Sequence, residues 1–98
     1  MATPEGQLVA HIKKVVKAAG GEVRKCEWAG RVGAPDLFIM YKGRHFWVEC
    51  KAPGEGVRPT QEREIEKMRA AGCTVFVADD PAWFDYRFNL IIEALKDE

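Results

Sequence analysis

Two apolar runs flank a Lys42-Gly43 step, and their spacing fixes a strand register before any other element is considered. The runs are Asp36-Leu37-Phe38-Ile39-Met40-Tyr41 and His45-Phe46-Trp47-Val48-Glu49-Cys50-Lys51. Gly43 tolerates the positive φ that a tight hairpin demands. A hairpin centred there pairs residues whose numbers sum to 85, so Tyr41 faces Arg44, Met40 faces His45 and Asp36 faces Glu49. Directly opposed residues share a face, with Cβ atoms about 4.5–5.5 Å apart. Alternation along a strand turns Glu49 and Lys51 the same way. The spacing therefore predicts Asp36, Glu49 and Lys51 on one patch, a register that a one-residue bulge would break.

Charges on strands that otherwise read as core are costly to bury unless paired or bound to metal. Two converging carboxylates repel, and a divalent cation relieves that repulsion. Such a pair is a hard-oxygen site suited to Mg²⁺ or Mn²⁺. A lysine beside it suggests hydrolysis of a phosphate ester. The competing reading is a surface hairpin with scattered charges.

Ninety-eight residues predict one domain, spanning 1–98, with a modest core. No apolar run approaches the roughly 20 residues of a membrane span. Met1-Ala2-Thr3-Pro4-Glu5 lacks the basic-then-apolar order of a signal peptide. Cys26, Cys50 and Cys73 are odd in number and widely spaced, as expected of reduced, buried thiols in a cytoplasm. Net charge is zero, yet residues 1–78 carry thirteen Lys/Arg against nine Asp/Glu, net +4. Residues 79–98 carry two against six, net −4. An acidic end thus masks a basic body, and phosphate contact needs only local positive charge. Lys13, Lys14, Lys17, Arg24, Lys25, Arg31 and Arg58 are the candidate cations.

A first helix is expected over 4–19, capped by Thr3 and opened by Pro4. Its stripe of Leu8, Val9, Ile12, Val15, Val16 and Ala19 extends back to Glu5, which would start the buried face. An acid there either favours the helix dipole or serves a site. A short strand follows at 22–27, then a loop with two glycines, then the hairpin. Pro59 opens a second helix to about Ala71 with Gln61, Ile65 and Met68 inward; Gln61 would sit beside the loop leaving the Lys51 strand. Glu62, Arg63, Glu64, Glu66, Lys67 and Arg69 make its charged side. A strand at 74–78 returns parallel to its partner, as in a βαβ unit. Asp80-Pro81 starts a last helix, to about Leu95, that is apolar nearly all round and predicts a homodimer surface. The order α-β-β-β-α-β-α predicts an α/β fold with a mixed sheet flanked by helices on both faces.

Gly33-Ala34-Pro35-Asp36-Leu37, Trp47-Val48-Glu49-Cys50-Lys51-Ala52-Pro53-Gly54 and Gln61 together resemble the virus-type replication-repair nuclease (VRR-NUC) family of the PD-(D/E)xK superfamily. Glu5 and Gly72 also fit, so the resemblance spans residues 5–78. One departure is Arg58-Pro59 where relatives commonly carry Ser-Pro, which implies a weaker cap on the second helix. The resemblance implies a restriction-endonuclease-like sheet and Mg²⁺- or Mn²⁺-dependent hydrolysis of DNA phosphodiesters. It implies Asp36, Glu49, the Cys50 carbonyl and Glu5 around the metal. Lys51 would position or deprotonate the attacking water, and Gln61 would orient Lys51 or that water. Arg31 and Arg58, with Lys13 and Lys25, would meet the DNA backbone. By analogy with stand-alone phage and bacterial members, the expected form is a homodimer that cuts branched DNA such as four-way (Holliday) junctions in the host cytoplasm. The rival readings are a junction-binding module without turnover, a partner-assembly protein using its last helix, and a nuclease for flap or linear DNA. His11 and His45 are expected to be structural.

Overall fold

Thr3 Oγ1 accepts the Gly6 amide at 3.0 Å and Pro4 occupies the first turn, so the first helix starts where the sequence places its cap. In the computed structural model, which describes residues 3–96, the elements are α1 (Pro4–Ala18), β1 (Glu22–Lys25), β2 (Leu37–Tyr41), β3 (Arg44–Cys50), α2 (Pro59–Ala70), β4 (Val75–Ala78) and α3 (Pro81–Lys96). The order is the expected α-β-β-β-α-β-α. The strands form one mixed sheet, β1-β2-β3-β4, antiparallel except for the parallel β3–β4 pair.

The hairpin turn has Lys42 at φ 46° and Gly43 at φ 81°, the two positive values of a type I′ turn. The register follows from that turn. Tyr41 faces Arg44, Met40 faces His45, and Leu37 faces Val48, with no bulge between. β1 stops at Lys25, short of the expected Glu27, although the Cys26 amide still donates to the Asp36 carbonyl at 2.7 Å, one step further along the same register.

Alternation along β2 and β3 divides the core into two layers. Leu37, Ile39, Tyr41, Phe46, Val48 and Cys50 face Leu8, Ile12 and Val16 of α1 and Phe84 and Phe88 of α3. Each fully buried phenylalanine contributes about 1.5–3 kcal/mol of apolar burial. His11 Nε2 and Asp85 Oδ1, 2.8 Å apart, join α1 to α3. The opposite layer is smaller: Ile65 and Met68 of α2 cover Val75, Val77, Trp47, Trp28 and Val57.

α2 differs from expectation in one respect: Glu64 is buried, although it belongs to the helix's charged set. On α3, Trp83, Tyr86 and Leu90 remain 37%, 62% and 44% exposed. They recur at i, i+3 and i+7, a second apolar stripe away from the core. Among the described residues no helix is long and apolar enough to cross a membrane.

Candidate active site

The β2–β3 ladder ends at Leu37–Val48, and the next pair outward in that register is Asp36 and Glu49. Both project on the α2 side of the sheet, the side of Phe38 and Trp47. Beneath them runs an aromatic row: Trp28 and Trp47 have ring centroids 4.8 Å apart, Phe38 and Trp47 4.6 Å. This apolar floor strips water from the strand end. Glu49 is only 8% exposed and Lys51 6%.

Lys51 lies just past β3, where its amide donates to the Ala78 carbonyl at 2.8 Å and ties the strand end to β4. Its Nζ is 3.5 Å from Glu49 Oε2 and 3.7 Å from Glu55 Oε1. Glu55 was not singled out by sequence. Its signal is the i, i+4 spacing from Lys51 across a glycine-containing turn, closed by the Glu55 amide donating to the Ala52 carbonyl at 2.9 Å.

Burial pushes the Glu49 carboxyl up to about 6, and Lys51 only partly offsets this. Asp36 and Glu5 push it the same way as burial, so both carboxylates act on Glu49 electrostatically. The Cys50 side chain points to the other layer, where burial first and the nearby acids second raise its thiol to about 12. It is an inert core group; of the other thiols, expected to be buried, Cys26 is half-buried and Cys73 is exposed.

Glu5 does not start a buried face. It is exposed, and the buried residues of α1 begin only at Leu8. Gln61 is half-buried, and its Oε1 accepts the Arg58 amide at 3.0 Å. Arg58 itself makes no side-chain cap, since a guanidinium has no acceptor, so the Gln61 oxygen on the Arg58 amide is the side-chain contact at this helix start. Arg31 reaches Glu64 through two bonds, Nε to Oε1 at 3.0 Å and Nη2 to Oε2 at 2.7 Å. Lys13, Lys25 and Arg58 are exposed. Lys13 stands eight residues beyond Glu5 on α1, about 12 Å along the helix, on the far layer from Glu49. His11 is paired with Asp85, and His45 lies against Phe38 at the other end of β3.

Asp36 and Glu49 are the carboxylates that could hold a divalent cation. Among the described residues no three His, Cys, Asp or Glu side chains gather into a full cage. Two carboxylates and a main-chain oxygen match the partial shell that Mg²⁺ accepts while keeping its waters. A groove of about 530 Å³ lined by Arg44, His45, Phe76 and Arg87 lies at the opposite end of β3 and contains none of these residues.

The burial of Glu49 has a measurable consequence in metal-free protein. Its folded pKa exceeds the ordinary 4.5, so between pH 4.5 and about 6 the native state holds more protons than the unfolded chain. Stability from this carboxyl is therefore full below about pH 4.5, falls as pH rises through about 6, and is flat above. The total loss is about 2 kcal/mol. Urea unfolding of wild type and Glu49→Gln from pH 4 to 7.5 should diverge by about that amount; parallel curves would exclude it.

No protein-family model matches the chain. It is 40% identical over 76 residues to "Putative nuclease p44" of Acyrthosiphon pisum secondary endosymbiont phage 1, covering 76% of this chain and 82% of that protein. A solved "VRR_NUC domain" superposes with a TM-score of 0.82 at 37% identity, covering 90% of this chain and 97% of the other. The strand-end carboxylates, the adjoining lysine, the mixed sheet and these two likenesses converge: the chain belongs to the VRR-NUC family of nucleases.

Proposed function

We propose that this protein is a Mg²⁺- or Mn²⁺-dependent DNA endonuclease directed by DNA shape, with branched DNA such as four-way junctions as its substrate. The observation that carries this reading is the buried Glu49–Lys51 pair, with Asp36 close enough to act on it, at the end of β3. Asp36, Glu49 and the Cys50 carbonyl would hold the ion, and Glu5 would complete the site directly or through water. When bound, the ion supplies Lewis-acid stabilisation of phosphate charge and a more acidic water.

The chain's own groups do the rest. Lys51 holds the attacking water near the phosphorus and offsets negative charge as the oxygen–phosphorus bond to the leaving strand breaks. Gln61 accepts the Arg58 amide through its oxygen, which turns its NH₂ group into the donor for a water or phosphate oxygen. Arg58 and Lys25 meet the backbone beside the site; Lys13 meets it further out. Among the described residues no element resembles a base-reading helix or arm, which favours recognition of shape over sequence. The exposed Trp83, Tyr86 and Leu90 stripe supports a homodimer through α3, and two linked sites suit a branched substrate with symmetric arms.

The test is a cleavage panel of four-way junction, flap, linear duplex and single-stranded DNA with Mg²⁺, Mn²⁺ or EDTA. Junction is cut fastest, EDTA abolishes cutting, and Asp36→Ala is inactive but folded. Junction binding without turnover would replace the enzyme by a binding module, and equal cutting of linear duplex would remove the shape preference. Sedimentation of a strictly monomeric species at micromolar concentration would remove the dimer.

A further inference from the structure

Residues 26–36 leave β1 and return to β2 carrying Asp36, and the structure ties this excursion down at every level. At its base the Cys26 amide donates to the Asp36 carbonyl at 2.7 Å. At its throat Trp28 Nε1 donates to the Pro35 carbonyl at 2.7 Å. At its tip the Arg31 guanidinium grips Glu64 with two bonds, and Gly33 lies against the main chain of Gln61. Glu64 stands one turn beyond Gln61 on α2, so the same helix carries both the anchor and a candidate site residue. The pair is a bidentate fork with a buried carboxylate, a geometry that specifies orientation as well as adding attraction. Each partner is held in its charged form by the other: Arg31 holds the Glu64 carboxyl down, and Glu64 holds the guanidinium up.

We infer that Arg31 and Glu64 are positioning residues: their fork clamps the Asp36-bearing loop to α2 and sets the distance between Asp36 and the Gln61–Lys51 side of the site. This rests on the metal-dependent reading given above. It assigns Arg31 a partner inside the protein in place of a DNA phosphate. Glu64 acquires a role that no motif gives it. Supporting groups of this kind govern metal affinity or activity by about 10–100-fold in metal sites generally.

Two conservative variants test it, Arg31→Lys, which keeps the charge and loses the fork, and Glu64→Gln, which keeps the shape and loses the charge. In DNA-free calorimetry each should weaken Mn²⁺ binding by about tenfold. In cleavage each should lower kcat with KM for junction DNA unchanged. Amide exchange should quicken in residues 28–36 while β3 and β4 stay protected. The sign of the Glu64→Gln effect is decisive. If Arg31 were a DNA contact restrained by Glu64, freeing it would lower KM and leave kcat intact, and the clamp would be overturned. Unchanged Mn²⁺ affinity together with unchanged loop exchange would also overturn it. If wild type itself took up no Mn²⁺, the metal-dependent reading would fall, and loop exchange with kcat would still decide the clamp.

Discussion

Lys51→Met should leave DNA cleavage about a thousandfold or more below wild type, and the variant should unfold more easily the higher the pH. Methionine keeps the unbranched apolar stem, so packing at the strand end is retained and what disappears is a cation. That cation lies 3.5 Å from Glu49, in a setting where both side chains are almost fully covered. Removing one member of a buried pair strands the other, and the usual cost is about 3–5 kcal/mol. Here the cost has an outlet. Glu49 already titrates at about 6 with Lys51 holding it down, so without Lys51 it rises further and takes a proton near neutrality. The destabilisation is therefore small at pH 5.5 and reaches about 2–3 kcal/mol at pH 8, where the carboxyl must stay charged or be protonated at a cost. In the Glu49→Gln background the pH dependence vanishes, while cleavage stays lost. Circular dichroism with urea at the two pH values, alongside junction cleavage, measures all of this. Cleavage within tenfold of wild type, or a loss of stability equal at both pH values, would contradict it.

The hairpin register, from Tyr41–Arg44 to Leu37–Val48, was legible because one turn governs the whole of it. Gly43 marks the turn, an I′ turn admits no slack in pairing, and alternation carries the consequence to Lys51. The two-layer core was legible for a similar reason: both faces of the hairpin carry apolar side chains, so both need helices. What sequence missed are pairings across long separations. Arg31 and Glu64 lie on a loop and on a helix's charged side, and nothing local says that they meet. Glu64 reads as a solvated helix charge because its burial comes from the loop folded over it, not from its own helix. Glu5 failed in the opposite sense. Periodicity placed it on the buried stripe, but burial along α1 begins only one turn later, at Leu8. Gln61 was read as inward on the buried stripe of α2; it is only half-buried, and part of its hydrogen-bonding capacity goes to the helix start that Arg58 cannot cap.

Gly33→Ala should cost about 2–4 kcal/mol of stability and most of the cleavage activity, although the change adds one carbon. Gly33 sits at φ 86°, where an L side chain is strained by about 1–2 kcal/mol. The added Cβ would lie 2.9 Å from Gln61 Cα, 3.0 Å from Gln61 N and 3.1 Å from the Thr60 carbonyl oxygen. All three are main-chain atoms of the first turn of α2, so no side chain can swing aside. Relief requires the loop to back away from the helix, and that motion separates Pro35–Asp36 from Gln61. Gly30 is the internal control. It has φ 74° in the same loop, but nothing lies within 4 Å of its would-be Cβ. Gly30→Ala therefore carries the backbone strain alone, about 1–2 kcal/mol, and retains cleavage. Urea unfolding separates strain from collision, and junction cleavage reports whether the loop has moved. Equal losses of stability and activity in the two variants would mean that close approach of loop to helix has no part in holding Asp36.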